Sequence, residues 1–232
     1  MAPEHLWRQV ESLGLRSGIS CVEEYERRVV VGAAAAQVFL READTEAFLP
    51  DTVRLVHRLT FAEVHPWAGL FRKTGELATV AGYVAADAQR VGAELALLSA
   101  QIGEWNMDCA ADAAGQVAFF HVRFERVHPF RDGNGRVGRL LLSEQLCRLI
   151  GRANIDWLAV RAQYLAGLSA ANKGDLAPLA NLMLEALGLP PIKGPYYSRF
   201  RIAPRMDSFG ASETSLEEDL RWSRIVPSSR AS

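Results

Sequence analysis

Along most of this chain apolar positions recur at three- and four-residue steps, and glycine and proline gather between the periodic stretches. Glu23 to Ala43 is a long run rich in Ala and Val with charges at both ends, and it predicts a buried helix. Val29, Val30, Val31 and Gly32 lower the helical propensity inside it. Residues 51–64 place Val53, Val56, Leu59 and Val64 at near-helical intervals, and Pro66-Trp67-Ala68-Gly69 ends or bends that helix. Between Arg72 and Tyr83 the pattern changes. Thr74-Gly75-Glu76 reads as a turn, and Leu77, Ala78, Thr79 and Val80 are apolar and partly β-branched, which predicts a small hairpin. Residues 85–105 return to helix, and Asp108 to Gly115 reads as a small, polar connection. Val117, Phe120, Phe124 and Val127 then form one apolar face leading into His128, and Val137, Leu140, Leu141, Leu146 and Ile150 mark the next helix. Residues 161–189 form a helical pair around Gly174-Asp175. Past Gly188 the composition shifts to Pro190, Pro191, Gly194 and Pro195, then an aromatic-basic patch from Tyr196 to Arg201, with a short amphipathic helix expected at Glu213 to Trp222. The pattern predicts an all-α protein with one hairpin: a domain over residues 10–190 and a partly helical tail over 191–232.

Composition narrows the function classes. The chain has 232 residues, enough to bury a sizeable core, and its 49% hydrophobic content is ordinary for a soluble globular protein. A net charge of −1 supplies no global basic field, which argues against nucleic acid and membrane surfaces as partners. Cys21, Cys109 and Cys147 are too few and too scattered for a disulfide framework or a metal site, so they read as small core residues in a reducing compartment. The N-terminus lacks a basic flank leading into an apolar run, and no stretch reaches membrane-spanning length, so the expected location is cytoplasmic, with secretion as an effector left open.

The chemistry is concentrated in His128-Pro129-Phe130-Arg131-Asp132-Gly133-Asn134-Gly135-Arg136-Val137-Gly138-Arg139. An imidazole moves protons near neutral pH. A carboxylate holds a divalent cation against phosphates. Glycines let backbone N–H groups crowd around phosphate oxygens, and guanidinium groups clamp the remaining charge. A loop closing onto a helix N-terminus is an anion site before any side chain is counted. A plain turn between helices would account for Gly133 and Gly135. It leaves unexplained why His128, Asp132, Asn134, Arg136 and Arg139 fall together. The remaining histidines, His5, His57, His65 and His121, read as surface or packing residues, and Phe130 as a core plug.

This run resembles the signature of the Fic family: His-Pro-Phe, a variable residue, an acidic residue, Gly-Asn-Gly-Arg, two further residues and Arg. The likeness extends to His57-Arg58 with Phe61, to Pro66-Trp67-Ala68-Gly69 and Arg72, to Val122 through Val127, and to Asp156-Trp157, Tyr164 and Gly174-Asp175-Leu176, covering roughly residues 10–188. The resemblance implies a helical bundle core with a small β-hairpin flap. It implies transfer of AMP from ATP to a Tyr, Ser or Thr hydroxyl of a protein substrate. His128 would be the general base and Asp132 the Mg²⁺ ligand. Gly133, Asn134 and Gly135 would cradle phosphate, and Arg136 and Arg139 would bind the outer phosphates. Residues 74–80 would be the flap that pairs with an extended stretch of target.

Two departures qualify the resemblance. Many Fic proteins carry an inhibitory helix with Ser or Thr, three residues, Glu, then Gly or Asn. Here Ser20 to Glu24 is followed by Tyr25, and Thr214 to Glu218 by Asp219, so both read as helix N-caps with early acidic residues. The expectation is therefore a separate small antitoxin that offers a Glu to Arg139, as for the toxin of a Fic toxin–antitoxin pair. The Doc branch transfers phosphate and carries Lys where Gly135 stands, so Gly135 favours AMP or another nucleotide. A non-catalytic module that kept the fold is the remaining alternative, and intact His128 and Asp132 weigh against it.

Overall fold

The computed structural model describes residues 3–43, 49–76, 78–80 and 83–200. Eight helices and one two-stranded sheet occur among them. The helices are α1 (Pro3–Ser12), α2 (Val22–Glu42), α3 (Pro50–Phe61), α4 (Val91–Gly103), α5 (Ala110–Val127), α6 (Asn134–Ile150), α7 (Arg161–Asn172) and α8 (Ala177–Ala186). Among the described residues no helix is long and apolar enough to cross a membrane.

The bundle is built around α5. From Ala113 to Glu125 every residue of that helix is buried, and α4, α6, α7 and α8 all pack against it. A helix covered on all sides needs apolar or small residues on all faces, which explains Phe119 and Val122 off the stripe expected from sequence. It also corrects one expectation. Asp108 to Gly115 is not a connection, because α5 begins at Ala110 and its small residues are where neighbours approach most closely. A Cβ on Gly115 would meet the Tyr196 ring at 2.4 Å.

A second layer, α2 against α3, leans on α6. Gly32 is the contact point there. A Cβ would lie 2.4 Å from the Thr60 carbonyl oxygen, so the residue that weakens helical propensity is the one that lets two backbones touch.

The sheet pairs β1 (Thr79–Val80) with β2 (Tyr83–Val84), antiparallel, with Thr79 opposite Val84 and Val80 opposite Tyr83. Thr74-Gly75-Glu76 forms a separate turn closed by Glu76 N–H to the Lys73 carbonyl at 3.0 Å, so it precedes β1. Leu77 lies outside the described residues, as does Glu213 to Trp222.

Two further expectations change. Cys21 and Cys109 are exposed and Cys147 is half-buried, so the cysteines do not build the core. Residues 192–200, assigned to a tail by composition, pack on the bundle. Phe200 stacks near Trp105 and Phe119, the Tyr196 hydroxyl donates to Asp112 at 2.7 Å, and the Leu176 N–H donates to the Tyr196 carbonyl at 2.8 Å.

Candidate active site

The signature loop is a sharp reversal between α5 and α6. His128 ends α5 at φ 46°, the only non-glycine residue with positive φ among those described, and its N–H still bonds the Phe124 carbonyl at 3.0 Å. A left-handed cap is normally glycine. A side chain there costs about 1–2 kcal/mol, and strain of this kind collects where a particular residue is needed. Gly133 makes the second turn at φ 79°, with the Phe61 ring so close that a Cβ would sit 2.5 Å from it. Two constraints therefore require glycine at this position. The first α6 bond runs from Val137 N–H to the Gly133 carbonyl at 3.1 Å, so the amides of Asn134, Gly135 and Arg136 precede the helical ladder and form its positive end.

Four residues, Asn134, Phe130, His57 and Arg72, hold the loop. The Asn134 side-chain amide bonds both ends of Phe130, accepting from its N–H at 2.8 Å and donating to its carbonyl at 2.9 Å. The anion-cradle role expected of Asn134 is thereby confined to its backbone, since its side chain is already used inside the loop. Phe130 is buried and stacks on His57 with centroids 3.8 Å apart. His57 Nδ1 accepts the Gly69 N–H at 2.8 Å, which places the ring proton on Nε2, and Nε2 donates to the Asp132 carbonyl at 3.1 Å. Burial drives the His57 pKa down to about 3 and keeps this tautomer neutral. Arg72 closes the other side. Its Nε donates to the His128 carbonyl at 2.7 Å, its Nη2 to the carbonyls of Val127 and Ala86, and its backbone N–H to the Pro129 carbonyl at 2.9 Å. This is a cation capping the carbonyl end of α5 while tying in the segment that follows β2.

The groups with chemistry lie on one short loop and the helix it opens. Burial pushes the His128 pKa down to about 4, helped by the positive charge of Arg72 and opposed by Asp132 and the Glu125 backbone. The imidazole is therefore neutral at physiological pH and can accept a proton. Asp132 keeps a side chain 32% exposed, and Arg136, 12% exposed, approaches it with Nη2 3.8 Å from Oδ2. Arg139 sits deeper. It is 2% exposed, and after burial its charge is the next force holding His121 unprotonated. The loop thus brings Asp132 within reach of Arg136 and close enough to His128 for its charge to be felt there, while Arg139 is enclosed in the bundle. A cleft of about 400 Å³ lined by Arg54, Arg58 and Leu70 contains none of the signature residues, so volume alone does not mark the site.

Sequence reasoning missed the supporting residues. His57 reads as a surface or packing residue, Arg72 enters only with the family likeness, and Tyr25 only as the residue that breaks the inhibitory-helix pattern, although it is the single aromatic in the charged run Glu23-Glu24-Tyr25-Glu26-Arg27-Arg28, a signal for burial.

Comparison with known proteins fits this geometry. Residues 47–146 match the model of the Fic/DOC family. Those residues carry a domain of that family. It is 30% identical over 143 residues to the protein adenylyltransferase Fic of Drosophila grimshawi, covering 60% of this chain and 28% of that protein. It is 30% identical over 167 residues to the protein adenylyltransferase fic-1 of Caenorhabditis briggsae, covering 69% and 32%. The chain thus spans about a third or less of the length of these curated relatives. The crystal structure of the BepC protein of Bartonella tribocorum, an effector solved with bound AMPPNP, is similar in fold, with a TM-score of 0.60 at 21% identity over 77% of this chain and 92% of that one.

Proposed function

We propose that this chain transfers AMP from ATP to a Tyr, Ser or Thr hydroxyl of a target protein. The observation that carries the reading is the loop itself: a strained His128, neutral and able to take a proton, near a partly exposed carboxylate and the N-terminus of α6. The named activity of the relatives supports it.

The target oxygen attacks the α-phosphorus while the bond to the bridging oxygen breaks, and pyrophosphate leaves with that electron pair. His128 takes the hydroxyl proton. General-base help of this kind is worth about 10²- to 10⁴-fold. Positioning and charge neutralisation supply the rest, from the α6 amides, from Arg136 and from Arg139.

Mg²⁺ fits the site. Asp132 is a partly exposed hard oxygen donor, and no group of three or more His, Cys, Asp or Glu residues forms a cage among the described residues. That suits an ion held by one carboxylate, waters and substrate phosphates. When bound it would neutralise phosphate charge.

The β1–β2 hairpin is the surface on which an extended target segment would add main-chain hydrogen bonds. Its exit is anchored to the catalytic end of α5 through Ala86, whose N–H donates to the Arg126 carbonyl at 3.1 Å. Restraint by a separate protein belongs to the same proposal. Glu24, the nearest approach to an internal inhibitor among the described residues, gives its carboxylate to Arg27 at 2.9 Å and Arg28 at 2.6 Å.

Incubating the chain with α-labelled ATP, Mg²⁺ and a cell lysate tests the reading. A labelled protein band that disappears in H128A supports nucleotidyl transfer. Label from γ-labelled ATP alone would mean phosphate transfer instead.

A further inference from the structure

One aromatic residue connects the N-terminal helices to the signature. Tyr25 stands in the first turn of α2, 1% exposed, and its hydroxyl accepts a hydrogen bond from Arg136 Nη1 at 3.2 Å across 111 residues of sequence. The guanidinium also lies 4.8 Å from the centre of the Phe61 ring and 5.7 Å from that of Tyr25. Two aromatic faces and a hydroxyl thus hold one edge of the fork, and the other edge, Nη2, points to Asp132.

The polarity of that hydroxyl is set from behind. His65 Nδ1 lies 3.1 Å from the Gly14 carbonyl, which can only accept, so Nδ1 carries the proton. His65 Nε2 is then an acceptor, and it lies 3.4 Å from the Tyr25 hydroxyl. Tyr25 donates backward to His65 and turns its lone pairs toward Arg136. Burial keeps His65 below the usual histidine range and so preserves this direction. His65 is itself fixed by stacking on Trp67 at 4.3 Å. The chain of bonds runs from the Gly14 carbonyl through His65 and Tyr25 to the arginine.

We infer that Tyr25 is a positioning residue for Arg136, holding its guanidinium so that the Nη2 edge faces the phosphates of a bound nucleoside triphosphate. The inference rests on the phosphate-binding role proposed above for Arg136. Its physical basis is preorganisation: an arginine fixed before the ligand arrives loses less freedom on binding. A hydrogen bond to a charged group carries enough energy that its loss weakens triphosphate binding roughly tenfold. AMP lacks the outer phosphates and should be indifferent.

The test is a calorimetric titration of wild type and Y25F with Mg-ATP and with AMP, alongside thermal melts and steady-state transfer kinetics. Expected are about tenfold weaker Mg-ATP binding, unchanged AMP binding, and a KM for ATP that rises more than kcat falls. Equal Mg-ATP affinity in the two proteins overturns the assignment, and so does an equal loss for AMP, which would mark general damage to the pocket. Wild type that binds no Mg-ATP overturns the proposed function, and this inference with it. Should Y25F fail to fold, the side-chain ¹⁵N signals of Arg136 in the wild type decide the matter. Hindered rotation of the guanidinium supports the assignment, and free rotation overturns it.

Discussion

His57 and Asp132 are 75 residues apart in sequence and joined by one hydrogen bond, from the imidazole Nε2 to the backbone carbonyl at 3.1 Å. The bond fastens the middle of the signature loop to α3, and the other ring nitrogen fastens the Trp-Ala-Gly turn at Gly69. H57A would leave a part-buried carbonyl and a buried N–H without this partner and remove the ring on which Phe130 stacks. The expected loss of stability is about 2–4 kcal/mol by urea denaturation, with transfer activity falling although His57 is not assigned a contact with nucleotide.

H128A should lower the transfer rate about 10²- to 10⁴-fold while leaving Mg-ATP affinity near wild type, because the base acts on the target hydroxyl and not on the phosphates. Transfer assays with labelled ATP and calorimetry on the same preparation check both halves.

Gly133 meets two independent constraints, so G133A should fail for two separable reasons. The positive φ strains any side chain by about 1–3 kcal/mol, and the Cβ adds a collision with the Phe61 ring. Thermal melts should show G133A destabilised, and pairing it with F61L should recover only part of the loss, because the smaller side chain relieves the collision and not the backbone.

The pH dependence of kcat/KM should place the acid limb well below an ordinary histidine. A general base works only when unprotonated, and burial with Arg72 holds His128 down to about 4. Activity should therefore persist as pH falls below 6 and decline as pH approaches about 4. A limb near 6.5, the ordinary value for histidine, would show that His128 is not the titrating base.

Stability should follow a different course. His57 and His121 are both held near 3 by burial, against about 6.5 in the unfolded chain. Between those values the unfolded state binds more protons, so stability is fully present above the unfolded value and is lost as pH falls toward the folded one. Each histidine contributes a slope of about 1.4 kcal/mol per pH unit within that window. Urea midpoints at pH 7, 6 and 5 measure it. A wild-type midpoint constant from pH 7 to 5 would contradict the burial of these two rings.

Much of the site was legible before any coordinates. The density of the 128–139 run named its residue types, and the period of Val117, Phe120, Phe124 and Val127 pointed a helix at it. Asn134 and Arg139 show the limit. Both are polar and lie in the signature, and sequence gave both to phosphate. In the fold the Asn134 side chain braces Phe130, and Arg139 is enclosed in the bundle. Composition likewise cannot separate a tail from a segment that returns, so Tyr196 and Phe200 read as part of a tail although they contact Asp112 and Phe119 of α5.

Sequence alone determined the helical periods, the two-glycine loop and the kinds of group it carries, because local sterics and spacing act between neighbours in the chain. The tertiary structure decided what holds those groups in place. Tyr25, His57, His65 and Arg72 make contacts of long sequence separation, among them His65 to Gly14 over 51 residues and Arg136 to Tyr25 over 111. Such partners have no period and no motif. They meet only because burying the apolar faces of α2, α3, α5 and α6 in one core brings them together, and a buried polar atom must then find its hydrogen bond wherever the packing has left one.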